Sequence, residues 1–259
     1  EMGVDLIHDF MKPLGFGQIT GIDLPGEVRG VLPSTERKRK TYKRPEQKKW
    51  YAGETISLGI GQGYNNFTIL QLAHALATVV DNGISRVPHV GKVLIDPDGK
   101  KTPIVQQPPI DLGYKPGNVA AVKRGMVSVV TGGTGRGSFG NARYSAGGKT
   151  GTAQAITIGQ KEKYNAARLA ERQRDHALYV AFAPAEDPKI AVAVIVENAG
   201  FGAGSAAPIA RRIIDYWLLG DYPSEADMAA MQRGQATAPI GTPRRAEDIR
   251  VTPQADTTP

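Results

Sequence analysis

Apolar positions along the chain follow two periodicities. Val4, Leu6, Ile7, Phe10, Met11 and Leu14 recur at the three- and four-residue steps of a helix, and Gly15 stops it. Ile69, Leu72, Leu76, Val79 and Val80 predict a second helix. Thr68 with Gln71 supplies its capping box, and Asp81-Asn82-Gly83 ends it. A third helix takes Asn118 as its cap and turns Val119, Val122, Met126 and Val130 inward. Ile209, Ile213, Ile214, Trp217 and Leu218 predict a closing amphipathic helix, and residues 165–174 a short polar one. Strands are predicted at 90–95, with Pro97-Asp98-Gly99 as the turn after them, and at 179–183 and 190–196. The last two are continuous apolar runs, as expected for strands buried on both faces. Another strand begins near Gly147 and carries an alternation through Ala155, Ile156, Thr157 and Ile158.

Composition adds few constraints. The 259 residues, 41% hydrophobic and 22% charged, suffice for one large domain or two small ones. No run is long and apolar enough for a transmembrane helix. No signal peptide is visible, and the opening at Glu1-Met2-Gly3 reads as a fragment of a longer protein. Cysteine is absent, which removes thiol catalysis and Cys-ligated metals. The histidines His8, His74, His89 and His176 show no metal-ligand spacing. The net charge of +7 is concentrated at residues 36–49, where eight basic residues meet two acidic ones. With Tyr42 and Pro45 inside it, this run reads as a solvated, exposed loop rather than a surface for nucleic acid or anionic lipid. From Asp221 the chain is rich in Ala, Pro, Thr and charge, and from about Arg233 it is expected to be disordered.

Candidate chemistry is confined to one place. A glycine-rich loop, Gly132 to Gly140, leads into Gly147-Gly148-Lys149-Thr150-Gly151-Thr152-Ala153-Gln154. A lysine cation, a hydroxyl donor and a residue without Cβ lie together on a predicted strand, a set that suits a carboxylate-bearing substrate. Two other readings of these glycines fail. A Walker A loop would need glycine where Arg143 stands, followed by a helix. Gly135-x-Gly137-x-x-Gly140 spells a dinucleotide fingerprint, but it runs from helix to strand, the reverse of the required context. No cofactor is expected. The triplet by itself is also compatible with a surface strand bearing a solvated lysine.

Three stretches in order carry a resemblance: Thr20-Gly21-Ile22-Asp23-Leu24-Pro25-Gly26, Gly59-Ile60-Gly61-Gln62-Gly63-Tyr64 and the segment from Gly147 to Gln154. Together they resemble the class B penicillin-binding proteins over roughly residues 1–220. Tyr164-Asn165-Ala166, Glu171 to His176, Ala181-Phe182-Ala183-Pro184 and Trp50-Tyr51 after the basic run are most similar to the elongation-type branch. The resemblance implies an α+β fold of the penicillin-binding-protein and β-lactamase type, an antiparallel sheet flanked by helices, with 221–259 as a flexible tail. It implies a serine-type D,D-transpeptidase, a target of β-lactams, that crosslinks peptidoglycan stem peptides through an acyl-enzyme. The expected setting is the periplasm, on an inner-membrane anchor outside this chain. The expected partners are stem peptides, β-lactams, a membrane glycosyltransferase and an elongation-complex scaffold, and no nucleic acid.

The resemblance also assigns roles. Lys149 and Thr150 bind the substrate carboxylate, Gly151 admits the substrate backbone, and the Thr152 N–H supplies half of an oxyanion hole. Gly59, Gly61 and Gly63 fix a turn, and Arg172, Arg174 and Asp175 form ion pairs beside the site. One departure is sharp. The family uses Ser-x-x-Lys for its nucleophile and Ser-x-Asn or Ser-x-Asp for proton transfer. None of Ser34, Ser57, Ser85, Ser128, Ser138, Ser145, Ser205 and Ser224 satisfies either pattern, so the nucleophile is expected upstream of this chain. Two alternatives stay open. A β-lactamase or β-lactam sensor shares the Lys-Thr-Gly strand, and its deacylation rate would set it apart. A non-catalytic docking module would lack Ser-x-x-Lys upstream as well.

Overall fold

The computed structural model describes residues 2–154 and 169–249. In chain order the elements are α1 (Val4–Met11), a 3-10 turn (Lys12–Leu14), α2 (Thr35–Thr41), α3 (Pro45–Lys48), α4 (Ala52–Gly59) and α5 (Ile69–Val80). Two small hairpin-like pairs follow, from β1 (Ile84–Ser85), β2 (Val93–Ile95), β3 (Lys101–Pro103) and β4 (Ile110–Asp111). Then come α6 (Pro116–Thr131), α7 (Arg136–Phe139), β5 (Gly147–Ala153), β6 (His176–Ala183), β7 (Ile190–Val196), α8 (Ala206–Leu219) and α9 (Glu225–Gln232). The alternation at 155–158 and the first part, 165–168, of the polar helix expected over 165–174 lie outside the described residues; in the rest, Glu171–Gln173 forms a 3-10 turn.

β5, β6 and β7 form an antiparallel sheet in that order, with Lys149 opposite Val180 and Thr150 opposite Tyr179. Helix α8 packs on β6 and β7, and α5 and α6 pack against strands of the same sheet. Ala177, Ala181 and Ala183 of β6 meet Ala206, Ala207 and Ala210 of α8, all fully buried, so helix and sheet approach closely. Phe182 points the other way, into a cluster with Leu76 and Val80 of α5. This is the two-faced burial that the apolar run predicts for β6.

Several expectations change in detail. Asn118 does not cap α6; Lys115 does, with Pro116 at the first helical position, where a missing N–H costs nothing. Val122 on that helix is exposed, whereas Val119 and Val130 are buried. On α8 the inward stripe is alanine with Ile214, while Ile213 and Trp217 face out. The capping box of α5 forms as predicted: the Gln71 N–H donates to Thr68 Oγ1 at 3.1 Å, and the Thr68 N–H donates to Gln71 Oε1 at 3.2 Å. Asn82 and Gly83 then end the helix with positive φ, 58° and 90°.

The basic segment is not a solvated loop throughout. It holds α2 and α3, and Lys38 is buried, 6% exposed. Its ammonium pairs with Glu54 and lies 5.3 Å from each of the ring centroids of Trp50, Tyr51 and Tyr64. A lone buried cation is costly, and this one is matched by a carboxylate and by aromatic faces.

Residues 221–249 are expected from composition to be flexible, yet they carry defined contacts. Asp227 is fully buried and takes a two-pronged interaction from Arg212 of α8. The Ile240 N–H donates to the same carboxylate at 3.2 Å. Tyr222 and Arg244 exchange backbone hydrogen bonds at 3.0 Å each. Residues 250–259 lie outside the described residues.

Candidate functional site

The site is built by backbone where side chains would be too large. Gly135 follows α6, and Gly148 sits on β5. A Cβ on either would collide with the Tyr179 hydroxyl of β6. This close approach brings the glycine loop against the strand. Burial pushes the Tyr179 phenol up to about 12, so it is neutral at physiological pH.

The expected site residues all lie on β5. Lys149 is exposed, and its ammonium donates to the Thr150 carbonyl at 2.8 Å. The Thr150 hydroxyl lies 3.1 Å from the Thr134 hydroxyl, which the glycine loop delivers. Gln62 Nε2 donates to the Thr152 carbonyl at 2.5 Å, and Gln62 Oε1 accepts from the Gln154 N–H at 3.4 Å.

These bonds give the direction of the edge. In an antiparallel strand the N–H and C=O of one residue point to the same side. The Thr152 carbonyl meets Gln62, so it points away from β6, and the Thr152 N–H must point the same way. By the two-residue repeat Thr150 shares that orientation, whereas Gly151 pairs inward with Leu178. Thus β5 presents the Thr152 N–H, the Thr150 hydroxyl and the Lys149 cation near one open edge. An N–H, a hydroxyl and an ammonium can together hold an extended ligand that ends in a carboxylate.

Gly61 and Gly63 have positive φ, 78° and 71°, and fix the turn as expected, whereas Gly59 is the last residue of α4. Sequence reasoning missed what the turn delivers, the Gln62 side chain, because its partner is 90 residues away. It also missed Thr134, whose neighbours in sequence are glycines. Of Arg172, Arg174 and Asp175, which were expected beside the site, Asp175 is buried immediately before β6.

Farther out, Glu54 is acted on in opposite directions. Burial raises its carboxyl pKa, but hydrogen bonds from Lys38, the Tyr51 N–H and Tyr64 outweigh it and hold the group below the usual range. Tyr64 is pushed up to about 12 by burial and by its contacts with Tyr42 and Glu54.

The α+β domain with a Lys-Thr-Gly edge strand beside helices is placed in a class by comparison with known proteins. Residues 1–215 match the family Transpeptidase, the penicillin binding protein transpeptidase domain. The chain belongs to this family. It is 43% identical over 223 residues to the peptidoglycan D,D-transpeptidase MrdA of Haemophilus influenzae, covering 84% of this chain and 33% of the relative. Among solved structures, Pseudomonas aeruginosa PBP2 in complex with WCK 5153 superposes with a TM-score of 0.69 at 42% identity, covering 84% of this chain and 43% of that one. Helicobacter pylori PBP2 in complex with MreC superposes with a TM-score of 0.67 at 26% identity, covering 85% and 37%. The chain therefore spans about a third of the length of its curated relatives.

Proposed function

We propose that this chain forms one wall of a peptidoglycan D,D-transpeptidase active site, the wall that binds the stem-peptide carboxylate and completes the oxyanion hole. The observation that carries the reading is the outward Thr152 N–H on the same open edge as Lys149 and Thr150.

In this reading the nucleophilic serine lies outside the chain, since no serine here has lysine three residues on. That serine attacks the carbonyl between the two terminal D-alanines. A C–O bond forms, the C–N bond breaks, and D-alanine leaves with a proton on its nitrogen. An amine on a neighbouring stem peptide then takes the acyl group and frees the serine. Lys149 and Thr150 hold the terminal carboxylate, so the scissile carbonyl oxygen is aimed at the Thr152 N–H. A preorganised donor at the developing oxyanion contributes about a hundred- to a thousandfold in rate. Gly151, without a side chain, leaves room for the ligand backbone beside the strand. β-Lactams enter the same slot as donor mimics.

The setting is the periplasmic side of an inner membrane, with the anchor outside this chain. Among the described residues no helix is long and apolar enough to cross a membrane. The solved complex of Helicobacter pylori PBP2 with MreC supports a scaffold partner here. A membrane glycosyltransferase is the companion enzyme, supplying the glycan that carries the stem peptides.

The test is acylation of the full-length protein by a fluorescent penicillin. The full-length protein is labelled, and this chain alone is not. Thr150→Val keeps the side-chain shape and removes a charge-assisted hydrogen bond, so acylation slows about ten- to a hundredfold. A normally folded Thr150→Val variant that acylates at the parent rate would remove Thr150 from the site.

A further inference from the structure

We infer that Thr134 is a positioning residue that sets the proton direction of the Thr150 hydroxyl; the inference rests on the carboxylate-binding role proposed for Thr150. A threonine hydroxyl has one proton to give and two lone pairs to accept with. A carboxylate only accepts. Thr150 therefore helps to bind one only if its single proton points at it, and any neighbour that takes this proton would disable the contact.

Thr134 Oγ1 is 3.1 Å from Thr150 Oγ1, and the pair can be hydrogen bonded in either direction. The Lys149 ammonium does not decide the direction, because it donates to the Thr150 carbonyl rather than to the hydroxyl. An anion on the open edge does decide it. A bond from a hydroxyl to a carboxylate is stronger than one between two neutral hydroxyls. The favoured chain is thus Thr134 donating to Thr150 and Thr150 donating to the carboxylate, each bond polarising the next. Thr134 also restricts rotation of the Thr150 hydroxyl before the ligand arrives. The glycines around it serve this placement: Gly135 fits against the Tyr179 hydroxyl only because it lacks a Cβ, and Tyr179 is the β6 residue opposite Thr150, so Thr134 is brought to the strand.

Thr134 is exposed, so its replacement opens no core cavity. The experiment measures the second-order acylation constant of the full-length protein with a fluorescent penicillin, alongside thermal melts. The variants are Thr134→Val, Thr134→Ser, Thr150→Val and the double Thr134→Val/Thr150→Val. Loss of one neutral hydrogen bond predicts a slowing of about three- to tenfold for Thr134→Val with an unchanged melt. Thr134→Ser, which keeps the hydroxyl, stays within about twofold of the parent. In the Thr150→Val background, Thr134→Val has no further effect, because the two act through one hydroxyl. With a penicillin methyl ester, which has no anion to receive the proton, the difference between parent and Thr134→Val disappears.

Two results overturn the inference while leaving the role of Thr150 intact. One is Thr134→Val at the parent rate while Thr150→Val is slow. The other is a double variant whose losses multiply. If Thr150→Val itself acylates at the parent rate, the carboxylate role of Thr150 fails, and this inference fails with it.

Discussion

Gln62 and Thr152 lie 90 residues apart in sequence and are joined directly, the side-chain amide of one donating to the backbone carbonyl of the other at 2.5 Å. With its other end on the Gln154 N–H, the amide imitates a stretch of neighbouring strand. It holds the peptide plane that follows Thr152, and so steadies the residue whose N–H is proposed to meet the oxyanion. Gln62→Ala is expected to slow β-lactam acylation of the full-length protein by about three- to tenfold, the equivalent of one ordinary hydrogen bond. Gln62→Glu should slow it further, because a carboxylate oxygen then faces the Thr152 carbonyl. Stopped-flow acylation with a parallel melt checks both, and equal rates for all three proteins would show that the strand needs no clamp.

The segment after α9 is expected to stabilise the domain. Removing residues from Arg233 onward takes away the Ile240 N–H that satisfies Asp227 and the Arg245 partner of Asp221. It also removes Ala236, which is buried against the domain. Leaving a buried carboxylate short of a partner costs about 1–3 kcal/mol, and for a domain of this size each kcal/mol lowers Tm by about 2–4 °C. The truncated protein should therefore melt several degrees lower. A melt superimposable on that of the parent would show that these contacts carry no net stability.

Acid should loosen the aromatic cluster around Lys38. Glu54 titrates below its ordinary value in the folded state, so its contribution to stability is complete above the unfolded carboxylate range, about pH 4.3. That contribution is lost as pH falls through the lower folded value, because the protonated carboxyl no longer neutralises the buried ammonium. Glu54→Gln is expected to lower stability at pH 7 and to flatten the acid limb of the stability curve. Urea unfolding from pH 3 to pH 7 measures both, and parallel curves for parent and variant would refute the assignment.

Tyr179→Phe should be neutral or stabilising. Among the described residues the Tyr179 hydroxyl is buried without a hydrogen-bond partner. Phenylalanine keeps the ring stacked on Phe139, with centroids 5.7 Å apart, and removes a desolvated polar atom. A loss of more than about 1 kcal/mol in denaturant unfolding would reveal a partner for that hydroxyl.

Local signals in the sequence translated well into local structure. Thr68 and Gln71 announced the start of α5, and Asn82-Gly83 its end, because capping chemistry is settled within a few residues. The Lys149-Thr150-Gly151 strand was legible for the same reason. What periodicity missed depended on contacts distant in sequence. Large apolar residues on α8 suggested an inner face at Ile213 and Trp217. The face that meets the sheet instead combines Ala206, Ala207 and Ala210 with Ile214, and Ala177 and Ala181 on β6 let the helix come close. Lys38 was read with its basic neighbours as solvated, because nothing near it in sequence foretells Glu54 and three aromatic rings. Gln62 and Thr134 escaped notice because each acts on a strand that only the fold brings near.

The open side of β5 has a consequence for how the protein behaves in a crowded compartment. An unpaired strand is a template for any other strand, including the same strand of a second molecule. If the site receives an extended peptide, as proposed, covering the whole strand cannot remove this hazard. Here, among the described residues, the Gln62 side chain occupies the Thr152 carbonyl and the Gln154 N–H, and the Lys149 ammonium the Thr150 carbonyl, which leaves a short window for backbone pairing. A window that short suits the tip of a peptide and is too short to seed a sheet between molecules. The charged Lys149 beside it further discourages self-association.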